Sequence, residues 1–153
     1  TFDNVASGEY YISLRHRNHL GVMTATPLSL SMSPVLVDFS RVDTPVYGEH
    51  ARLSDGDIAT LWSGDVNQDN RLILNGQGSD INPILTAVLI APGNSGFNSS
   101  YQVPGYNATD LNMDGKTVFM GPSNDANILL GNTLVHPGNA NFSGNYIAVG
   151  GLR

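Results

Sequence analysis

The sequence predicts a mostly β fold with short helices, of α+β class, in which a β-sandwich-like first part precedes a duplicated loop–helix module. Three observations carry this. Residues 1–45 alternate apolar and polar side chains between turn residues, the pattern of short half-buried strands. Residues 64–153 repeat themselves at a fixed offset of 45 residues. Only 13% of the chain is charged, where a soluble domain averages about 25%, so Asn, Gly, Ser and Thr carry the polarity and favour turns and strands.

The first part is read as the end of a β-sandwich-like domain over residues 1–48, with a connector over 49–63. Glu9-Tyr10-Tyr11-Ile12-Ser13-Leu14-Arg15-His16 predicts one strand with Tyr10, Ile12 and Leu14 on one face. Leu28-Ser29-Leu30-Ser31-Met32 and Val35-Leu36-Val37-Asp38-Phe39 predict two more. Asp55 and Asp57, ahead of the lone Trp62, read as a helix cap rather than a further cation site. Thr1 falls inside a strand-like pattern, so the chain is expected to continue a longer polypeptide.

The module divides into units 64–108 and 109–153. Asp65, Asn67, Asp69, Gly76 and Asp80 map onto Asp110, Asn112, Asp114, Gly121 and Asp125, and Leu89, Pro92-Gly93-Asn94, Phe97, Tyr101 and Gly105 map onto Leu134, Pro137-Gly138-Asn139, Phe142, Tyr146 and Gly150. Each unit predicts a loop, a helix, a turn and a strand. Ile81, Ile84, Leu85, Val88 and Leu89 follow helical spacing after Asp80, a candidate N-cap, and Pro92-Gly93 stops the helix. The second helix is expected from Asp125 to about Val135, with Leu129, Leu130 and Leu134 inward and Gly131 weakening it. Tyr101-Gln102-Val103 and Tyr146-Ile147-Ala148-Val149 predict the closing strands.

A net charge of −6, with seven basic residues, argues against nucleic acid as a partner. The absence of cysteine excludes disulfides, thiolate metal sites and a cysteine nucleophile. No apolar run approaches the ~20 residues of a membrane-spanning helix. No nucleophile elbow, phosphate loop or Ser/His/Asp arrangement is present, so no catalytic residues are assigned and no enzyme activity is expected.

The chemistry lies in Asp65-Val66-Asn67-Gln68-Asp69 and Asp110-Leu111-Asn112-Met113-Asp114. Calcium takes roughly six to eight oxygen ligands, and side chains at positions 1, 3 and 5 of a compact loop, with a carbonyl at position 7, supply them. Those ligands are Asp65, Asn67, Asp69 and the Arg71 carbonyl in one loop, and Asp110, Asn112, Asp114 and the Lys116 carbonyl in the other. Position 6 requires a left-handed residue, which Gly115 and Asn70 provide. No Glu follows Glu49, so Asp80 and Asp125, at position 16 of each loop, are taken as the closing ligands. A lone copy would read equally well as an Asx-rich turn; two copies with matching distal aspartates favour two calcium sites. His16 and His19 would face opposite ways on a strand, which disfavours a zinc site. The aromatics Tyr10, Tyr11, Tyr47, Trp62, Tyr101, Tyr106 and Tyr146 suit sugar stacking or, more commonly, core packing.

Gly64-Asp65-Val66-Asn67-Gln68-Asp69 followed by Asp80-Ile81-Asn82-Pro83-Ile84-Leu85 resembles a type I dockerin repeat, a relative of the EF-hand loop, with a longer loop and about twenty extra residues per unit. Arg15-His16-Arg17-Asn18-His19-Leu20-Gly21-Val22-Met23-Thr24-Ala25, with Tyr47-Gly48 and the two acidic loops, is similar to a calcium-binding module of large secreted Bacteroidota-type proteins of the haemagglutinin-like kind. Phe2-x-Asn4-Val5-x-x-Gly8-x-Tyr10-Tyr11 resembles the last strands of carboxypeptidase-regulatory-like or Cna-B-like sandwiches. These resemblances imply secretion from a bacterial cell and calcium, and no particular activity. The chain is read as a calcium-stabilised structural or adhesion module of a secreted or surface protein, whose partners are neighbouring domains, identical subunits, or a glycan or cell surface; the alternatives are a self-assembling filament subunit joined by strand donation, from a sandwich that begins in mid-strand, and a dockerin-type docking module. The helix pairs Thr86-Ala87 and Gly131-Asn132 differ between units, which weighs against docking.

Overall fold

The computed structural model describes residues 5–153, so the Thr1–Asn4 portion of the sandwich-like motif lies outside the described residues. Among the described residues ten short strands form five two-stranded antiparallel sheets, joined by two helices, a mostly β arrangement within the expected α+β class. β1 (Gly8–Tyr10) pairs with β4 (Leu28–Leu30). β2 (Ser13–His16) and β3 (His19–Met23) form a tight hairpin over Arg17-Asn18. β5 (Leu53–Asp55) and β6 (Ile58–Thr60) form another, turning at Gly56, whose φ of 58° is left-handed. α1 spans Ile81–Leu89 and α2 Asp125–Val135.

Several expectations change. The strand expected from Glu9 to His16 breaks at Tyr11-Ile12, and its halves join different sheets. Val35–Phe39 forms no strand. Asp55 and Asp57 belong to the β5–β6 hairpin and cap no helix. No sheet among the described residues is wider than two strands, so the expected sandwich is not assembled there. The core also crosses the boundaries expected at residues 48 and 63: Leu20 of β3 and Trp62 pack with Val66, Leu72, Leu74, Ile84, Leu111, Leu129 and Ala148. Burying each such large side chain stabilises the fold by roughly 1.5–3 kcal/mol.

The two units close on one another. β7 (Arg71–Ile73), in the first unit's loop, pairs with β10 (Ile147–Val149) at the end of the second, with Leu72 opposite Ala148. β9 (Lys116–Thr117), in the second unit's loop, pairs with β8 (Val103–Pro104) at the end of the first, with Thr117 opposite Val103. Shifting either pair by 45 residues gives the other, so the exchange is reciprocal. Below the helices the copies share a further device. Asn94 Nδ2 donates to the carbonyls of Val88 and Asn98 while its Oδ1 accepts from Asn98 N; Asn139 does the same with Thr133 and Ser143.

Helix α2 is capped by Asn124, whose side chain accepts from Asn127 N. Asp80 occupies the N-cap position of α1, yet its side chain makes no cap hydrogen bond. Of the residues expected inward on α2, Leu129 is fully buried and Leu130 is exposed, because Thr133 takes the buried position one turn on and bonds the Leu129 carbonyl.

Candidate metal centres

Both acidic loops wind the same way. Gln68 and Asn70 have φ of 63° and 65°, and Met113 and Gly115 have 59° and 86°, so positions 4 and 6 are left-handed in each copy, position 6 as the ligand pattern requires. The side chains then organise the turn. Asp65 Oδ2 accepts from Asn70 N at 3.0 Å, and Asp110 Oδ2 from Gly115 N at 3.1 Å. Asn67 Oδ1 accepts from Asp69 N and Asp69 Oδ1 from Arg71 N, as Asn112 and Asp114 do in the copy. Asn67 Nδ2 ties the loop to the carbonyl of Gly78, and Asn112 Nδ2 to that of Ser123. Asp65 and Asp110 are buried, while Asp69 and Asp114 are exposed, so each loop has a closed floor and an open rim. Arg71 and Lys116, the expected carbonyl donors, begin β7 and β9.

The distal aspartates do something the sequence did not suggest. Asp80 Oδ1 accepts from Val66 N at 2.8 Å and Asn67 N at 3.3 Å, and Oδ2 from Ile73 N at 2.9 Å. Asp125 repeats this with Leu111 N, Asn112 N and Val118 N. Each carboxylate, fully buried, staples the two ends of its loop through backbone amides, and both oxygens are occupied. The sequence predicts Asp80 and Asp125 as closing ligands; the backbone staple is a role that reading does not include. Among the described residues no three His, Asp or Glu side chains are gathered as a metal cluster; beside the distal aspartate each loop offers two carboxylates, an Asn and carbonyls.

The residues fit calcium at one telling atom. Asp65 is 4% exposed, and its Oδ1 has no hydrogen-bond partner among the described residues. A buried carboxylate oxygen left short of partners costs free energy, which a bound cation would offset. Burial pushes Asp65 up to about 6, helped by the charge of Asp69 and opposed by backbone amides. Burial likewise raises Asp80 to about 6 and lifts Asp125 above the usual carboxylate range.

A pH dependence follows. The folded values of Asp65 and Asp80 lie above the ~3.9 of an unfolded aspartate, so the cation-free native state holds more protons than the unfolded chain. That stability is fully present below pH ~4 and is lost as pH rises through about 6. His19, held down at about 4, works the other way over the same window, so the carboxylate contribution is read in a His19→Gln variant, whose denaturant midpoint in chelator is expected to be higher at pH 4.5 than at pH 7. Saturating calcium should reverse the order, because binding requires the deprotonated carboxylates.

The other candidates find different uses. His16 and His19 pair across the β2–β3 turn with Nδ1 atoms 2.9 Å apart, not on opposite faces of one strand. Burial, with the charges of His16 and Arg17, drives His19 down to about 4. His50 and His136 lie edge to face at 6.0 Å in a separate group, His136 packing on Trp62 and Tyr146. Trp62 is core and is no stacking platform, while the exposed rings of Tyr11 and Tyr47 flank the Arg153 guanidinium and that of Tyr106 lies against Arg17.

Sequence reasoning missed the clasp between the first part and the second loop. Asn18, fully buried, donates to the Asp110 carbonyl at 2.6 Å and accepts from Gly64 N at 2.8 Å through its own carbonyl. Ser63 Oγ donates to the Leu111 carbonyl, and Arg17 Nη2 stands 3.5 Å from Asp110 Oδ2. The density of His, Arg and Asn in Arg15–His19 was the available signal, but it names no partner.

No family model matches the chain, and no curated protein or solved structure matches it either.

Proposed function

We propose that this chain is a non-catalytic, calcium-stabilised structural and adhesion module of an extracellular protein, with one calcium in each acidic loop. The observation that carries the reading is Asp65 Oδ1, buried and without a partner inside a loop that already presents Asn67 and Asp69 beside it. The second loop repeats the same turn and the same amide pattern 45 residues later. Asp65, Asn67, Asp69 and the Arg71 carbonyl would hold one ion, and Asp110, Asn112, Asp114 and the Lys116 carbonyl the other. Asp80 and Asp125 hold the loop ends in register. The ion supplies positive charge that offsets the buried carboxylates and organises the loop; it is given no catalytic task. A dockerin-like role in binding a partner through the helices is the weaker reading, because Asn132 donates to the Ser63 carbonyl and is committed within the molecule.

Calorimetric titration of the chelator-treated protein is expected to count two calcium ions. Replacing Asp110 and Asp114 with Ala should remove one and leave the other. Two ions still bound by that variant would overturn the assignment.

A further inference from the structure

We infer that Arg17 is a tethered counter-cation for the second loop, setting that loop's calcium affinity below the first loop's and coupling its filling to the β2–β3 hairpin. The inference rests on the calcium reading and adds an order of filling to it.

The two loops are copies in backbone but not in charge. In the first, Asp65 Oδ1 has no partner among the described residues, and no cationic side chain lies within ion-pair distance of Asp65. In the second, both oxygens of Asp110 are engaged: Oδ1 accepts from Asp114 N at 3.1 Å, and Oδ2 accepts from Gly115 N and faces Arg17 Nη2 at 3.5 Å. The Arg17 guanidinium packs against an aromatic ring. It lies 5.5 Å from the Tyr106 ring centroid, and the residue after it in the chain, Asn18, is bonded to the Asp110 carbonyl. Arg17 Nε and Nη2 find no hydrogen-bond acceptor among the described residues, so the contact with Asp110 is one of charge rather than a directed hydrogen bond.

A divalent cation entering the second loop therefore meets a positive charge already seated against its first ligand. Coulomb repulsion at that range is strong but screened, since the Arg17 side chain is 29% exposed. Among the described residues the first loop has no resident cation. Calcium fills it first; filling the second then pushes on Arg17 and, through the Asn18 clasp, on the hairpin turn.

The test is a calcium titration of the whole protein followed by calorimetry and by amide resonances, with Asn70 reporting the first loop and Gly115 the second. The native protein should show two unequal sites, the Gly115 signal moving second. Arg17→Gln should tighten the Gly115 site by up to about fivefold and leave the Asn70 site unchanged, while Arg17→Lys, which keeps the charge, should stay near the native affinity. An unchanged or weakened Gly115 site in Arg17→Gln would overturn the inference and leave the two-calcium reading standing. Should Arg17→Gln not fold, the native protein decides: the Arg17 Nε–H resonance must move with the second equivalent of calcium, and movement with the first, or none, overturns it. No calcium uptake by the native protein at all would overturn the calcium reading and this inference together.

Discussion

Chelating calcium from the folded protein is expected to strip amide protection from residues 64–153 and from the β2–β3 hairpin together. Each loop brings buried carboxylate charge into one turn, offset in the absence of calcium only by backbone amides and, in the second loop, by Arg17. The helices that follow have nine and eleven residues, too short to persist alone in water. They stay folded because Ile84 and Leu129 share one core with Leu72 and Leu111 on the loops. Trp62 and Leu20 belong to that core, and Leu20 N bonds the Trp62 carbonyl, so the hairpin should open with the module. Linkage gives roughly 2.7 kcal/mol per site at a hundred times the dissociation constant. Hydrogen exchange with and without chelator measures this. Equal protection in both conditions would rule out calcium as the stabiliser.

Asp80→Ala should destabilise the protein by about 3 kcal/mol even in chelator, because it orphans the amides of Val66, Asn67 and Ile73. Asp80→Asn should be nearly as harmful. It keeps the shape, but its NH2 would face a backbone donor where an oxygen now accepts from either Ile73 or the Val66–Asn67 pair. Were Asp80 only a calcium ligand, both variants would lose affinity and keep the stability of the cation-free protein. Denaturant unfolding in chelator separates the two roles, and an unchanged midpoint would refute the staple. Asp125→Ala should behave likewise in the second unit.

The repeat, both helices and the left-handed residue at position 6 were legible because each leaves a local mark: an offset, a 3.6-residue period, a Gly or Asn at a fixed place. The stop at Pro92-Gly93 was legible for the same reason. What escaped was everything decided by contacts distant in sequence. Asp80 looks alike as ligand, cap or staple, and only the position of Val66 and Ile73 tells which. Arg17 and Asp110 are 93 residues apart, and nothing in either neighbourhood requires the other. Val35–Phe39 has strand composition but no partner strand, and composition cannot supply one.

The reciprocal pairing of the two units is symmetric in space and lopsided along the chain. Val103 meets Thr117 across 14 residues, whereas Leu72 waits for Ala148, 76 residues on. Loop-closure entropy makes the longer connection harder by about 1.5 kcal/mol, from the logarithm of that length ratio. The second unit's loop strand therefore finds its mate early and locally. The first unit's stays an open edge until residues 147–149 have left the ribosome. Of two copies with the same shape, the one made first is the one finished last.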